Sequence, residues 1–214
     1  MAITIHEIYR SIQGESTFAG EPCTFIRTTT CDLRCKWCDT EHAFFDGTSV
    51  DLDEIIARVE KLGIDLVEIT GGEPLLHNEV PLLAEKLMSR GATVLVETGG
   101  HRDISILPEG AIRIMDLKCP ASGESKSNDF ENIDHLNKHD EVKFVIADRQ
   151  DFDWAVEQII EYDLEDRVSA VLLSPVFGQC SAEHLTTWLL ESDIKARVQL
   201  QMHKYIWSPE TKGV

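Results

Sequence analysis

The chain has 214 residues, and its 38 acidic side chains outnumber its 20 Lys and Arg side chains, which gives a formal net charge of −18. Such a charge repels phosphate backbones and anionic headgroups, so the composition argues against nucleic acid or a membrane surface as a direct partner. A hydrophobic fraction of 43% is enough for one domain with a sizeable core. No apolar run reaches the roughly 20 residues of a membrane span, and the N-terminus lacks the features of a secretion signal, so we expect a cytoplasmic protein.

Short apolar runs alternate with amphipathic stretches from about residue 23 to the end of the chain. The runs predict strands, the stretches with a period of 3.6 predict helices, and runs that are apolar on both faces are typical of a buried parallel sheet. Asp51 with Glu54 resembles a capping box, and Gly63 is a helix stop. In chain order the predicted elements are strand 23–28, helix 52–62, strand 66–70, helix 79–90, strands 93–97, 112–117 and 142–146, helix 152–162, strand 168–173, helix 182–191 and strand 197–201.

The helical pattern is incomplete. No amphipathic stretch lies between residues 97 and 112, and the polar run 121–132 leaves room for at most a short helix after it. A full eight-unit barrel takes about 250 residues. We therefore predict an α/β fold, an incomplete, helix-poor (β/α)6-type partial TIM barrel, with a flexible loop around 122–129. The expected organisation is one domain over 1–214, with an N-terminal substrate-binding extension (about 1–22) and a C-terminal active-site tail (about 202–214).

Polar clusters follow the predicted strands, where barrels and open α/β sheets place their active sites. The first holds Cys31, Cys35 and Cys38 in the spacing C-x3-C-x2-C. Three thiolates on one loop suit three irons of a cubane and leave the fourth open, whereas a structural zinc site needs four ligands. A zinc site completed by His42 or Cys23 is the alternative interpretation.

One β/α unit later comes Thr70-Gly71-Gly72-Glu73-Pro74. Two glycines let a backbone approach a ligand closely, and carbonyl groups together with Glu73 can accept hydrogen bonds from an ammonium group. The thiol loop and this turn together resemble the radical S-adenosylmethionine superfamily. That resemblance implies a [4Fe-4S] cluster on the three cysteines, S-adenosylmethionine on the open iron, and reductive cleavage of the sulfonium to a 5′-deoxyadenosyl radical.

Further motifs resemble the 7-carboxy-7-deazaguanine synthase family, and the resemblance spans nearly the whole chain. They are Ser11-Ile12-Gln13-Gly14-Glu15, Trp37-Cys38-Asp39-Thr40, Glu97-Thr98-Gly99-Gly100, Asp116-Leu117-Lys118-Cys119-Pro120 and Gln201-Met202-His203-Lys204-Tyr205. The resemblance implies conversion of 6-carboxy-5,6,7,8-tetrahydropterin to 7-carboxy-7-deazaguanine with loss of ammonia, on the route to deazapurines such as queuosine. It also implies a homodimer, a flavodoxin or ferredoxin as electron donor, and a Mg²⁺ ion at the substrate.

Individual roles follow from the same resemblance. Arg27 clamps the substrate carboxylate, a task that suits a fixed guanidinium fork, and Thr40 is an oxygen ligand of Mg²⁺. The expected substrate-binding residues are Ile12, Gln13, Gly14, Glu15, Arg27, Thr70 and His203. The expected cofactor-binding residues are Trp37, Cys38, Asp39, Gly72, Glu73, Lys118, Cys119, Pro120, Ser174, Pro175, Val176 and Phe177.

The sequence departs from the family pattern at two places, and two other functions are alternatives to the one that the resemblance implies. The polar insert 121–132 differs from the family pattern, and residues 210–214 follow Pro209, so no terminal-carboxylate role is carried over to that proline. A glycyl-radical activase acting on a partner protein shares the thiol spacing. A zinc-stabilised binding module is the alternative outside enzymes.

Overall fold

The computed structural model describes residues 1–209 and 211–213, and within them a nine-stranded open sheet organises the chain. Two antiparallel pairings join strand β1 to β2 and to β3, and every pairing from β2 onward is parallel, in the order β3-β1-β2-β4-β5-β6-β7-β8-β9. The strands are β1 Ala2–Ile12, β2 Pro22–Thr28, β3 Thr48–Asp51, β4 Leu66–Gly71, β5 Thr93–Thr98, β6 Ile112–Asp116, β7 Glu141–Ile146, β8 Ala170–Pro175 and β9 Arg197–Val198.

The helices are few, as predicted for a helix-poor partial barrel. They are α1 Leu52–Leu62, α2 Val80–Met88, α3 Arg149–Glu161, α4 Leu164–Arg167, α5 Ala182–Leu190 and α6 His203–Ile206. No helix connects β5 to β6, which confirms the prediction made from the missing amphipathic stretch. None of the helices in the described part of the chain combines the length and the apolar character that a membrane crossing demands.

Strands β1 and β3 were not predicted from the sequence. Strand β1 carries Ile3 and Ile5 on the core side between polar residues, and such alternation marks an antiparallel strand with one buried face rather than a strand that is apolar on both faces. Residues 2–12 are therefore an inner strand of the sheet, paired with β2 on one side and β3 on the other. The last strand is shorter than predicted and ends at Val198. After one more backbone bond, from the amide of Gln199 to the carbonyl of Leu173, the chain enters the cavity wall, where the side chain of Gln201 donates to Glu15 and Asp39.

The predicted capping box at the start of α1 is wrong, because only the Asp51 half of it is formed. Asp51 caps the helix by accepting a hydrogen bond from the amide of Asp53, whereas Glu54 pairs forward with Arg58, so the reciprocal half of the box is absent from these residues. Gly63 ends the helix in the left-handed conformation, φ 67°, as predicted.

The segment expected to be a flexible loop, around 122–129, contains two 3-10 turns, Pro120–Ser122 and Ser125–Ser127, and a third, Phe130–His135, follows it. Asn128 anchors it by accepting from the amide of Lys118 and donating to the carbonyl of the same residue. The carbonyl of Ser122 also accepts from the amide of Lys36, which ties the segment to the cysteine loop.

Candidate active site

A cavity of about 530 Å³ opens at the carboxyl ends of the parallel strands, and most of the predicted site residues line it. The three exceptions are Pro120, Ser174 and Pro175. Pro120 is exposed at the start of a 3-10 turn, Ser174 is buried with its hydroxyl donated to the carbonyl of Gln199, and Pro175 lines a smaller neighbouring cavity. The cavity therefore gathers residues from both ends of the chain, as barrel topology predicts.

The cysteine loop follows β2 and places all three thiols on the wall of this cavity. Cys31, Cys35 and Cys38 are half-buried and free of disulfides. Burial raises the pKa of Cys35 to about 11, and the charge of Lys118 acts in the opposite direction on all three thiols. Soft thiol donors in a group of three, facing a common cavity beside a cation, suit a cubane cluster, whose binding would displace the thiol protons.

The Gly-Gly-Glu-Pro turn packs directly against the start of the cysteine loop. A Cβ on Gly72 would overlap the carbonyl of Thr30, so only glycine allows this close approach of two backbones. Glu73 is fully buried, and its carboxylate accepts hydrogen bonds from the amide of Leu75, the hydroxyl of Thr98 and the amide of Gly99. The turn is therefore a brace between two strand ends and the thiol loop, and the expected contact of Glu73 with an ammonium group stays a prediction.

The segment after β1 meets the C-terminal helix α6 over the cavity. A Cβ on Gly14 would lie 2.5 Å from Nδ1 of His203, which shows that the imidazole packs on the glycine backbone. The carbonyl of Gly14 also accepts from the amide of Met202. Burial lowers the pKa of His203, so a neutral imidazole faces the cavity at neutral pH.

Arg27 lies on β2 at the cavity wall and is held by two side chains from β1. Its Nε donates to Glu7 at 2.8 Å, and its Nη2 donates to the hydroxyl of Tyr9 at 2.9 Å. These partners fix the plane of the guanidinium, and Nη1 has no side-chain hydrogen-bond partner among the described residues. A pre-oriented guanidinium is well suited to a carboxylate ligand.

A polar network on the cavity floor was not predicted from the sequence. Glu68 on β4, Glu97 on β5 and Lys143 on β7 are neighbours across the sheet, and Lys143 bridges Glu97 and Glu15, the latter at 3.1 Å. Glu68 accepts from the side-chain amide of Gln13. Glu68 and Lys143 lie in apolar runs that predict only strands, and Glu97 was predicted only as part of a family motif, so the available signal was a charged residue inside a strand that is otherwise buried.

The two carboxyl groups of this network hold their protons differently. Burial, and then the charge of Glu97, raise the pKa of Glu68 well above its usual range. Burial also acts to raise the pKa of Glu97, but Lys143 outweighs it and the pKa of Glu97 falls. Glu68 therefore keeps its proton to a higher pH than Glu97 does, and a protonated carboxyl group can donate a hydrogen bond where a carboxylate only accepts.

Cations are concentrated in the cavity although the whole chain is acidic. Of the described residues, the Lys and Arg that line it are Arg27, Lys118, Lys143, Lys204 and Lys212. Lys118 pairs with Asp116 at 2.8 Å and Lys204 with Asp39 at 2.6 Å. An anionic substrate therefore meets a wall in which five cationic side chains stand among seven carboxyl groups, and the net charge of the chain does not reveal these local cations.

The positions of Thr40 and Cys23 are relevant to the predicted Mg²⁺ site and to the alternative zinc site. The Thr40 hydroxyl lines the cavity and donates to Asp39 at 2.9 Å, so two oxygen groups meet there. Cys23 packs at the far end of β2 among Phe25, Leu66, Leu95 and Ile114. It cannot complete a zinc site with a loop that follows the other end of the strand.

Substitution of Glu68 tests the proton assignment. Because the folded state binds the Glu68 proton more tightly than the unfolded state does, stability is lost as pH rises from about 4.5 towards the raised pKa. We expect Glu68→Gln to remove this dependence. Within that window, the free energy of unfolding of the variant should increase relative to that of the wild type by about 1.4 kcal/mol per pH unit. Urea unfolding of the two proteins between pH 5 and pH 8 measures the difference, and a gap that does not grow with pH contradicts the assignment.

The comparisons with known proteins agree with this geometry. The radical SAM superfamily profile matches residues 25–121, which contain the thiol loop and the Gly-Gly-Glu-Pro turn. The fold is similar to that of QueE from Escherichia coli, with a TM-score of 0.79 over 95% of both chains and 21% identity. A protein with this sheet, this loop and this profile is a radical S-adenosylmethionine enzyme, a class whose cofactors are a [4Fe-4S] cluster and S-adenosylmethionine.

Relatives that match over nearly their full length show which family within this class the chain belongs to. The sequence is 49% identical to a 7-carboxy-7-deazaguanine synthase from Koribacter versatilis, over 98% of this chain and 99% of the relative. It is 40% identical to the synthase of the same name from Chlorobaculum tepidum, over 99% and 97%. The chain belongs to the 7-carboxy-7-deazaguanine synthase family, which confirms the resemblance drawn from its motifs.

Proposed function

We propose that the chain converts 6-carboxy-5,6,7,8-tetrahydropterin to 7-carboxy-7-deazaguanine with release of ammonia. The observation that carries the proposal is a single cavity that joins the three cysteine thiols to Arg27 and to the carboxyl groups of its floor. One end of it suits a redox cluster and the other suits an anionic heterocycle. When bound, the cluster and S-adenosylmethionine supply a radical that removes a hydrogen atom from the substrate.

The floor has the groups that a pterin needs. The pyrimidine ring of a pterin presents an amino group and a ring N–H side by side, and a carboxylate can accept from both. Glu97 is the ionised member of the buried pair, so we assign it to this edge. Protonated Glu68 and the amide of Gln13 then serve ring atoms that accept. His203, Thr70, Ile12 and Gly14 close the cavity around the ring.

Arg27 anchors the substrate carboxylate in this proposal. Arg27→Gln removes a charge-assisted contact worth about 1.5–3 kcal/mol, so we expect KM to rise about 10- to 100-fold while the absorption of the cluster is unchanged. Arg27→Lys recovers only part of this loss, because an ammonium group lacks the fork. The matched control is Arg58→Gln on the exposed face of α1, for which no change in KM is expected. A wild-type KM in Arg27→Gln would remove the residue from the substrate site.

Thr40 supplies an oxygen ligand to Mg²⁺ in this proposal, and Asp39 lies beside it. We expect Thr40→Ala to raise the Mg²⁺ concentration needed for half-maximal activity at least about tenfold, and Thr40→Ser to stay near the wild type, since Ser keeps the hydroxyl. Initial rates over a Mg²⁺ titration test this. An unaltered Mg²⁺ response in Thr40→Ala contradicts the assignment.

Anaerobic reconstitution tests the whole proposal. The protein, loaded with iron and sulfide, is incubated with S-adenosylmethionine, a reductant and the carboxypterin, and the product is identified by its absorption and mass. Formation of the deazaguanine supports the synthase. Release of 5′-deoxyadenosine only with a glycyl-radical protein would favour the activase, and a colourless protein with one zinc and no iron would favour the zinc-stabilised module.

Three further parts of the proposal rest on the family resemblance. They are an electron donor such as a flavodoxin or ferredoxin, a homodimer, and a C-terminal active-site tail from about residue 202. Lys204 and Pro209 line the cavity, which supports the tail, whereas Glu210 and Val214 lie outside the described residues. The N-terminal residues 1–22 contribute to the substrate site through Gln13, Gly14 and Glu15.

A further inference from the structure

Two histidines without a role in the proposed reaction meet Glu7, the carboxylate that orients the substrate anchor Arg27. The ligand atoms of His6, Glu7 and His42 all lie within 4.8 Å of one another. The two imidazoles are 5.2 Å apart between centroids, at an interplanar angle of 61°. Nδ1 of His6 is buried and has no hydrogen-bond partner among the described residues.

A backbone irregularity brings these side chains together. On β1, Ile5 pairs with Thr28 but Glu7 pairs with Arg27, so His6 is an extra residue in the ladder. Because of this bulge, the core positions run Ile3, Ile5 and then Ile8, while the consecutive residues His6 and Glu7 turn towards the same side. Such bulges often re-aim side chains next to active sites.

His42 comes from a different element. It lies in the 3-10 turn Glu41–Phe44, whose buried Ala43 accepts from the amide of Thr30 and so fixes the turn at the end of β2. The three groups therefore belong to two rigid pieces of backbone, a sheet strand and a tied turn. Such pieces hold a ligand set in place without the cost of ordering a loop.

We propose that His6, Glu7 and His42 bind a divalent transition-metal ion, Zn²⁺ or Fe²⁺. Two imidazoles and a carboxylate are the ligands of zinc in several hydrolases and of iron in the facial-triad enzymes, whereas Mg²⁺ prefers oxygen alone. This ligand set shares no residue with the oxygen site at Thr40 or with the thiol site, and it goes beyond the proposed synthase reaction.

Charges around the site couple it to the substrate anchor. Glu7 is also the carboxylate that holds Nε of Arg27, so a metal ion and the guanidinium compete for one group. The other cation that acts on His42 is Lys212, which is exposed and can turn into solvent. Metal binding therefore loosens Arg27, and removal of Arg27 strengthens metal binding.

Zinc titration of the cluster-loaded protein tests the site under anaerobic conditions, without substrate or S-adenosylmethionine. We expect calorimetry to give one bound Zn²⁺ per chain with no loss of iron. His6→Ala and His42→Ala weaken binding at least about tenfold, as expected for loss of a ligand. His139→Ala, in an exposed turn away from the site, is the matched control and leaves the affinity unchanged. Arg27→Gln binds zinc more tightly than the wild type.

Three results would overturn the proposal: equal zinc affinity in His42→Ala and the wild type, zinc uptake accompanied by loss of iron, or weaker binding in Arg27→Gln. None of these results depends on turnover. A failed synthase assay with an intact zinc site, or the reverse, would therefore separate this site from the proposed function.

Discussion

Lys143→Met is expected to destabilise the protein by about 3–5 kcal/mol and to lower kcat/KM at least about 100-fold. The Lys143 side chain is 7% exposed and bridges the partly buried Glu15 and Glu97, so its removal leaves these carboxylates without their counter-charge. The floor of the cavity then loses the ionised group that we assign to the pterin edge. Urea unfolding and steady-state kinetics on the cluster-loaded protein measure the two effects.

The pH dependence of this variant identifies the cause. Without Lys143 the strongest effect that opposes the burial of Glu97 is lost and the pKa of Glu97 rises, so the folded state takes up a proton that relieves the penalty. The stability lost at pH 8 should therefore be regained as pH falls towards 5, and also by adding Glu97→Gln. The exposed Lys138→Met is the control, with a change within about 0.5 kcal/mol. A loss that is equal at both pH values, or unaffected by Glu97→Gln, contradicts the charge argument.

Asp140→Asn is expected to cost about 3–5 kcal/mol of stability and to leave the kinetics of the folded enzyme unchanged. Asp140 is fully buried, accepts from the amide of Arg113 at 2.8 Å, and pairs with the Arg113 guanidinium at 3.3 Å. Both residues lie where β6 and β7 begin, at the end of the sheet opposite the cavity. The substitution leaves a buried guanidinium without its counter-charge, far from the substrate.

Thermal unfolding measures the loss of stability, and steady-state kinetics at temperatures below the unfolding transition measure the activity of the folded enzyme. Asp153→Asn is the matched control, because Asp153 pairs with Arg149 on the exposed face of α3, where an ion pair is worth less than about 1 kcal/mol. Adding Arg113→Met to Asp140→Asn should recover part of the stability, since it removes the unpaired charge. Asp140→Asn as stable as Asp153→Asn would show that the buried pair contributes little.

Local patterns predicted the parallel sheet and the ligand loop. The strands from β4 to β8 are continuous apolar runs bounded by turn residues. Because these strands are buried on both faces, each run predicts a strand without information about its neighbours. The antiparallel strand β1 was missed, because the bulge at His6 interrupts its alternation and because its polar residues serve the cavity. The capping box at Asp51 failed because a sequence pattern does not show that Glu54 has a better partner in Arg58.

The sequence by itself determined the class of this protein. The chemistry of a thiol loop and of a glycine-rich turn is local. The spacing along the chain is therefore enough to predict the function of Cys31, Cys35, Cys38 and the turn at 71–74. Only the tertiary structure decided which charges the cavity contains. Glu97 and Lys143 are 46 residues apart and come from different strands, and a buried charge is tolerated only where a partner from another strand offsets its loss of water.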